Sequence, residues 1–161
     1  MTSEAPRRSL RRDAVAARGP RIRLRLSGLA LVIIAAGLAV HRFVAGDVGD
    51  ILGDALYACL IYVLPAIAFP ALRATRLGMI AIALCAGVEL LQLTGLPALW
   101  AAVFPPAALI FGTGFDSRDL IVYAVAILAA VLVHRAIAGD GRGMPPSAET
   151  QEGALPKESA L

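Results

Sequence analysis

Four stretches of this chain, Leu26–Ala45, Ile51–Leu72, Leu77–Leu96 and Leu120–Ala138, are apolar apart from one charged residue apiece. Each is about as long as the ~20 residues that a bilayer span requires. A helix in a soluble bundle keeps a charged face toward water, and none of these has one. Composition agrees. Of 161 residues, 58% are hydrophobic, against ~45–50% apolar in an ordinary soluble domain. The reading is an all-α membrane protein: a bundle of four transmembrane helices spanning residues 26–138.

The charges lie between and outside the runs, and they set an orientation. Residues 1–25 hold eight arginines against Glu4 and Asp13, a basic tail of the kind that stays on the cytoplasmic side. The second connection carries Arg73 and Arg76 with no acid, and His134-Arg135 ends the fourth run. The first connection carries Asp47 and Asp50, with Arg42 at its edge, and the third carries Asp116, Arg118 and Asp119. Both termini are therefore expected in the cytoplasm and the first and third connections outside, in an inner (plasma) membrane. Arg7-Arg8-Ser9-Leu10 faintly resembles an export signal, but a long basic gap and an over-long apolar run follow it, so cleavage is not expected. Residues 1–20 and the polar, Gly- and Pro-rich residues 139–161 are expected to lack structure.

Between Pro97 and Ser117 lies PALWAAVFPPAALIFGTGFDS, apolar, too short to span, and broken by Pro105-Pro106. Trp100, Phe104, Phe111 and Phe115 favour headgroup depth. The segment is expected to be interfacial or re-entrant between helices 3 and 4.

The polar residues inside the spans follow helical spacing. In the third run Cys85, Glu89 and Gln92 share one face, continued by Gly78 and Ala81. In the fourth, Asp119, Tyr123, Ala126, Ala130 and Val133 form a comparable stripe, and in the second Asp54 and Tyr57 lead through Ile61 to Pro65. With ~1.5 Å of rise per residue, Asp54 falls roughly 5 Å inside the outer end, Gln92 about 6 Å below Leu96 and Glu89 about 10 Å below it. Tyr57 comes near the level of Glu89, and Tyr123 one turn below Asp119. If the three faces converge, Asp54, Tyr57, Glu89, Gln92, Asp119 and Tyr123 line one ligand-binding site open to the outside.

Glu89 is the centre of that site. Charge at mid-bilayer costs ~2.5–3.5 kcal/mol, and no basic residue shares its depth, so its neutral form is expected. Two readings remain open: a functional group, or a polar bolt between helices, a kind of bond that averages ~0.6 kcal/mol. For Asp54 and Asp119 the competing role is helix capping. For Tyr57 and Tyr123 it is packing. Two separated histidines and the isolated Cys59 and Cys85 give no metal-ligand spacing, and no nucleophile or phosphate-loop motif occurs. No enzyme activity, metal or cofactor is expected, and no nucleic-acid partner.

GDALYACLIYVLPAIAFP (Gly53–Pro70), VELLQL (Val88–Leu93) and GTGFDSRDLIVYAVAI (Gly112–Ile127) resemble, in order, the small bacterial membrane proteins grouped as domain of unknown function 2809. The E-x-x-Q pair at Glu89 and Gln92, and G-x-G-F followed by D-L-x-x-Y at Asp119 to Tyr123, are the most distinctive parts. The intramembrane E-x-x-Q and the Asp that starts the last span are also similar, at a greater distance, to VanZ-like proteins, some of which are linked to resistance to the glycopeptide teicoplanin. That resemblance implies a role at the cell envelope. The expectation is a non-enzymatic protein whose outer polar pocket binds or senses an envelope amphiphile, such as a lipid-linked precursor. The alternatives are a small proton-coupled transporter and a scaffold whose polar pairs only pack helices; either could be an oligomer.

Overall fold

In a medium without water, backbone N–H and C=O groups must bond one another, and an apolar chain meets that need by coiling into helices. The computed structural model describes residues 5–139, with side chains from Pro20 to Ala138. Over these residues the elements are α1 (Ala5–Phe43), α2 (Asp47–Ala68), α3 (Ala74–Gln92), α4 (Leu96–Val103), α5 (Ala107–Phe111) and α6 (Ser117–Gly139). Four segments, Pro20–Phe43, Asp47–Ala68, Ala74–Gln92 and Ser117–Ala138, are long and apolar enough to cross a membrane. The four-helix expectation holds, with each boundary moved by a few residues.

Two expectations about the ends fare differently. Residues 1–20 were expected without structure, yet α1 is continuous from Ala5. Ala and Arg dominate that stretch, and both favour helix. Of the tail over 139–161, everything past Gly139 lies outside the described residues.

The second helix is the hub of the bundle. α2 packs against α1, α3 and α6, and α3 also packs against α6. The core runs along these contacts through Ala58, Tyr62, Val63 and Ala66 of α2, Leu77, Ala81 and Cys85 of α3, and Tyr123 and Ile127 of α6. Small residues let the backbones approach. At Gly78 a Cβ would stand 2.7 Å from the Val131 side chain, so α3 and α6 are in contact where glycine removes the obstacle. Elsewhere the bundle is apolar on its outside: Leu31, Val32, Met79, Ile121 and Val125 are all more than 60% exposed, a surface suited to lipid.

The third span stops at Gln92, short of the expected Leu96, for local reasons. The Thr94 hydroxyl donates to the Leu91 carbonyl at 2.6 Å, taking a helix-end acceptor. Gly95 then enters the left-handed region at φ 73°, with its N–H on the Gln92 carbonyl at 3.0 Å. Pro97 sits in the first turn of α4, where a missing N–H does no harm. Pro105-Pro106 separate α4 from α5, and Trp100 packs edge-on against Phe111 with ring centroids 5.4 Å apart. The Pro97–Ser117 segment is thus a short helical hairpin beside the end of α3. The loop charges lead to the expectation that this end faces outward, and it is labelled the outer end hereafter.

Candidate functional site

The polar face of α3 is buried as its spacing requires. Leu77, Gly78, Ala81, Cys85, Glu89 and Gln92 all point into the bundle. Because α3 ends at Gln92, Glu89 lies one turn, or ~4.5 Å, from the helix terminus, nearer the outer surface than a span to Leu96 implied. It is nevertheless only 1% exposed. The α5–α6 connection closes over it: the Asp116 backbone and the Tyr123 hydroxyl face the carboxyl, with Asp119 beyond. The Tyr123 hydroxyl and the Asp116 backbone lie at the limit of hydrogen-bonding distance from the carboxyl, and neither contact has full hydrogen-bond geometry. Among the described residues, both Glu89 oxygens lack a partner.

Gln92 is tied on one side only. Its Nε2 donates to the Phe111 carbonyl at 2.8 Å, which fixes the amide orientation and ties α5 to α3. Its Oε1 has no partner among the described residues. Gly112 follows at φ 66° against the Gln92 amide, in a space that a Cβ would fill. Phe111 and Gly112 therefore belong to the site, and sequence spacing had no means of finding a backbone carbonyl. The glycines of GTGFD were the available signal.

The other predicted residues arrive from α2 and α6. Asp54 and Asp119 stand beside one another, both partly exposed. Tyr57 and Tyr123 face each other with ring centroids 6.0 Å apart and planes at 49°. Tyr57 also neighbours Cys85 and Glu89. All six residues expected to share a site do converge. The capping role considered for the two aspartates falls elsewhere: Asp116 Oδ1 accepts from the Arg118 N–H at 2.9 Å and so caps α6. No side chain caps α2 at Gly46.

Two faces need correction. On α6 the inward line is Asp119, Tyr123, Ile127, Val131 and His134, while Val133 is 58% exposed. A line of four-residue steps drifts around a 3.6-residue helix, and the close approach at Gly78 selects Ile127 and Val131. On α2 the deeply buried residues below Tyr57 are Ala58, Tyr62 and Pro65, with Ile61 only partly covered. This brings a second polar contact into the opposite half of the bundle. The Tyr62 hydroxyl and His134 Nδ1 are 2.8 Å apart, their rings edge to face.

Cys59 and Cys85 are unlinked. Among the described residues no three His, Cys, Asp or Glu side chains are grouped to hold a metal ion.

A bundle of four membrane-length helices, three of which bring carboxyl, carboxamide and phenol groups together near one end, defines a small multi-spanning membrane protein with a polar site beneath one surface. The model of the family described as Protein of unknown function (DUF2809) matches residues 43–127, more than half of the chain, and the chain belongs to that family. All six converging residues lie inside the matched region. No curated protein and no solved structure matches it.

Proposed function

We propose that the outer-end site binds, and thereby senses, an amphiphile of the cell envelope, and that it does so without chemistry. One observation carries this reading: Glu89 is almost wholly buried and its two oxygens bond nothing among the described residues. A buried polar atom without a partner costs about 1–3 kcal/mol. Ionisable groups inside a span are functional by default, and partly exposed Asp54 and Asp119 offer an approach from the outer surface. The lipid-facing apolar sides of the bundle suit the tail of the same molecule.

A second reading, a small proton-coupled transporter, draws support from the Tyr62–His134 contact, a polar station nearer the cytoplasmic end. The test is lipid analysis of the protein extracted directly from cells into lipid nanodiscs, wild type against Glu89→Ala at equal abundance. An amphiphile enriched over the bulk membrane in the wild type and lost in the variant is the expected result. Equal lipid profiles would leave the helix-packing scaffold as the better account. Proton uptake by wild-type liposomes, abolished in both Glu89→Ala and His134→Ala, would favour transport instead.

A further inference from the structure

We infer that the group recognised at this site is a primary ammonium, presented by an outer-leaflet headgroup or by a free amine. The inference rests on the binding reading above and specifies its ligand.

The unpartnered atoms define the donor set. Glu89 Oε1, Glu89 Oε2 and Gln92 Oε1 are buried on one face of α3, one turn apart, and none has a partner among the described residues. The carboxyl expected to be neutral when empty gives up its proton beside a bound cation; all three atoms are then acceptors, and the occupant donates. A primary ammonium carries three N–H donors and one positive charge. A hydroxyl supplies a single donor, and a guanidinium carries five in a rigid plane. A quaternary ammonium has none.

The surroundings favour a cation on independent grounds. Asp50, Asp54, Asp116 and Asp119 all lie around the outer end near Glu89 or near one another. Of the basic residues at that end, Arg118 has its guanidinium 3.9 Å from the Asp47 carboxylate, turned toward α2's first turn, and Arg42 lies over the Phe43 ring at the end of α1. Tyr57 and Tyr123, tilted against each other, stand near the carboxyl and add no positive charge to oppose a cation. A bare metal ion lacks its ligand set, since no three acidic, His or Cys groups are clustered for one among the described residues. Four acids near the mouth also repel anionic headgroups.

Headgroup competition tests the inference. The full chain is placed in nanodiscs of equal parts phosphatidylethanolamine, phosphatidylcholine and phosphatidylglycerol, and the lipids retained on the released protein are weighed by native mass spectrometry. Phosphatidylethanolamine should be retained over phosphatidylcholine by at least about tenfold, the worth of one charge-assisted hydrogen bond. Glu89→Gln, close to isosteric, should reduce that ratio to about one. Butylamine identifies the source. Displacement of the lipid shows that the site takes an ammonium from either side, and a lipid that resists displacement shows a headgroup site. Equal retention of the ethanolamine and choline lipids overturns the headgroup source and leaves thermal stabilisation by butylamine to decide for a free amine, and that comparison needs no variant to fold. A Glu89-dependent preference for phosphatidylglycerol would overturn the ammonium while leaving an amphiphile site in place. No selection among lipids, with no thermal stabilisation by butylamine, overturns both.

Discussion

If the Glu89 carboxyl bonds nothing, removing it should make the protein more stable. Methionine is close to glutamate in length and volume, so Glu89→Met leaves no cavity and forces no repacking. It deletes two buried oxygens with no partner among the described residues. Each such unpaired polar group costs about 1–3 kcal/mol, and taking the middle of that range the variant gains about 2 kcal/mol. For a chain of this length 1 kcal/mol moves the midpoint by about 2–4 °C, so the expected rise in Tm is roughly 4–8 °C. The assay is thermal unfolding in phosphatidylcholine nanodiscs, a lipid with no N–H donor, followed by far-ultraviolet circular dichroism. Emission from Trp100, the single tryptophan, adds a probe on the α4–α5 hairpin. Glu89→Gln is the control, because it keeps the polarity and should move the midpoint little. A fall of several degrees in Glu89→Met would refute the reasoning. It would mean that Glu89 makes a stabilising bond and that the polar face of α3 is a bolt.

The remaining expectations concern the packing around the site. Gly112→Ala places a Cβ at φ 66° against the Gln92 amide and should destabilise by about 1–2 kcal/mol. Gly114→Ala, which meets open space, should stay within about 0.5 kcal/mol in the same thermal assay. Gly78→Val should cost about 1–3 kcal/mol through overpacking against Val131, read as a drop in Tm. Tyr62→Phe should cost about 0.6 kcal/mol, the average for a hydrogen bond inside a membrane bundle, by thermal unfolding against wild type. For orientation, Thr113→Cys in intact cells should react with an impermeant maleimide, while Thr75→Cys should react only after permeabilisation. The reverse pattern would invert the bundle and put the Glu89 site on the cytoplasmic side.

Helix number, the inward face of α3 and the six converging residues were legible because each depends on spacing along one helix. Cys85, Glu89 and Gln92 repeat at four and three residues, and a helix can bury them only together. What spacing could not supply is the rotation of one helix against another. The α6 face keeps Ala126 and Ala130 against the core but turns from Val133 toward Ile127 and Val131, because Gly78, some fifty residues earlier in the chain, sets the line of closest approach. His134 was concealed for a related reason. Beside Arg135 it reads as part of a basic flank, and its role depends on Tyr62, which lies one residue off the Tyr57–Ile61–Pro65 line. The early stop of α3 depended on a Thr–Gly pair at positions 94 and 95 that continuous hydropathy overrides.

Two polar groupings among the described residues of the bundle are unequal, and the inequality bears on the proposed function. At the inner end Tyr62 and His134 satisfy each other at 2.8 Å across α2 and α6. In the middle, Gly78 and Ala81 bring α3 against its neighbours without any polar help. Helix association is thus provided for before the outer end is reached. There the Gln92 amide spends its donor on Phe111, drawing the hairpin close, and leaves its oxygen free beside the two of Glu89. The Tyr123 hydroxyl faces that carboxyl without completing a bond. A bundle selected only for cohesion would close these groups as it closes Tyr62 on His134. On the proposed binding reading, leaving three acceptors open under an acidic, aromatic-flanked surface lowers stability and prepares a place for a donor from outside, the trade expected where function and stability compete.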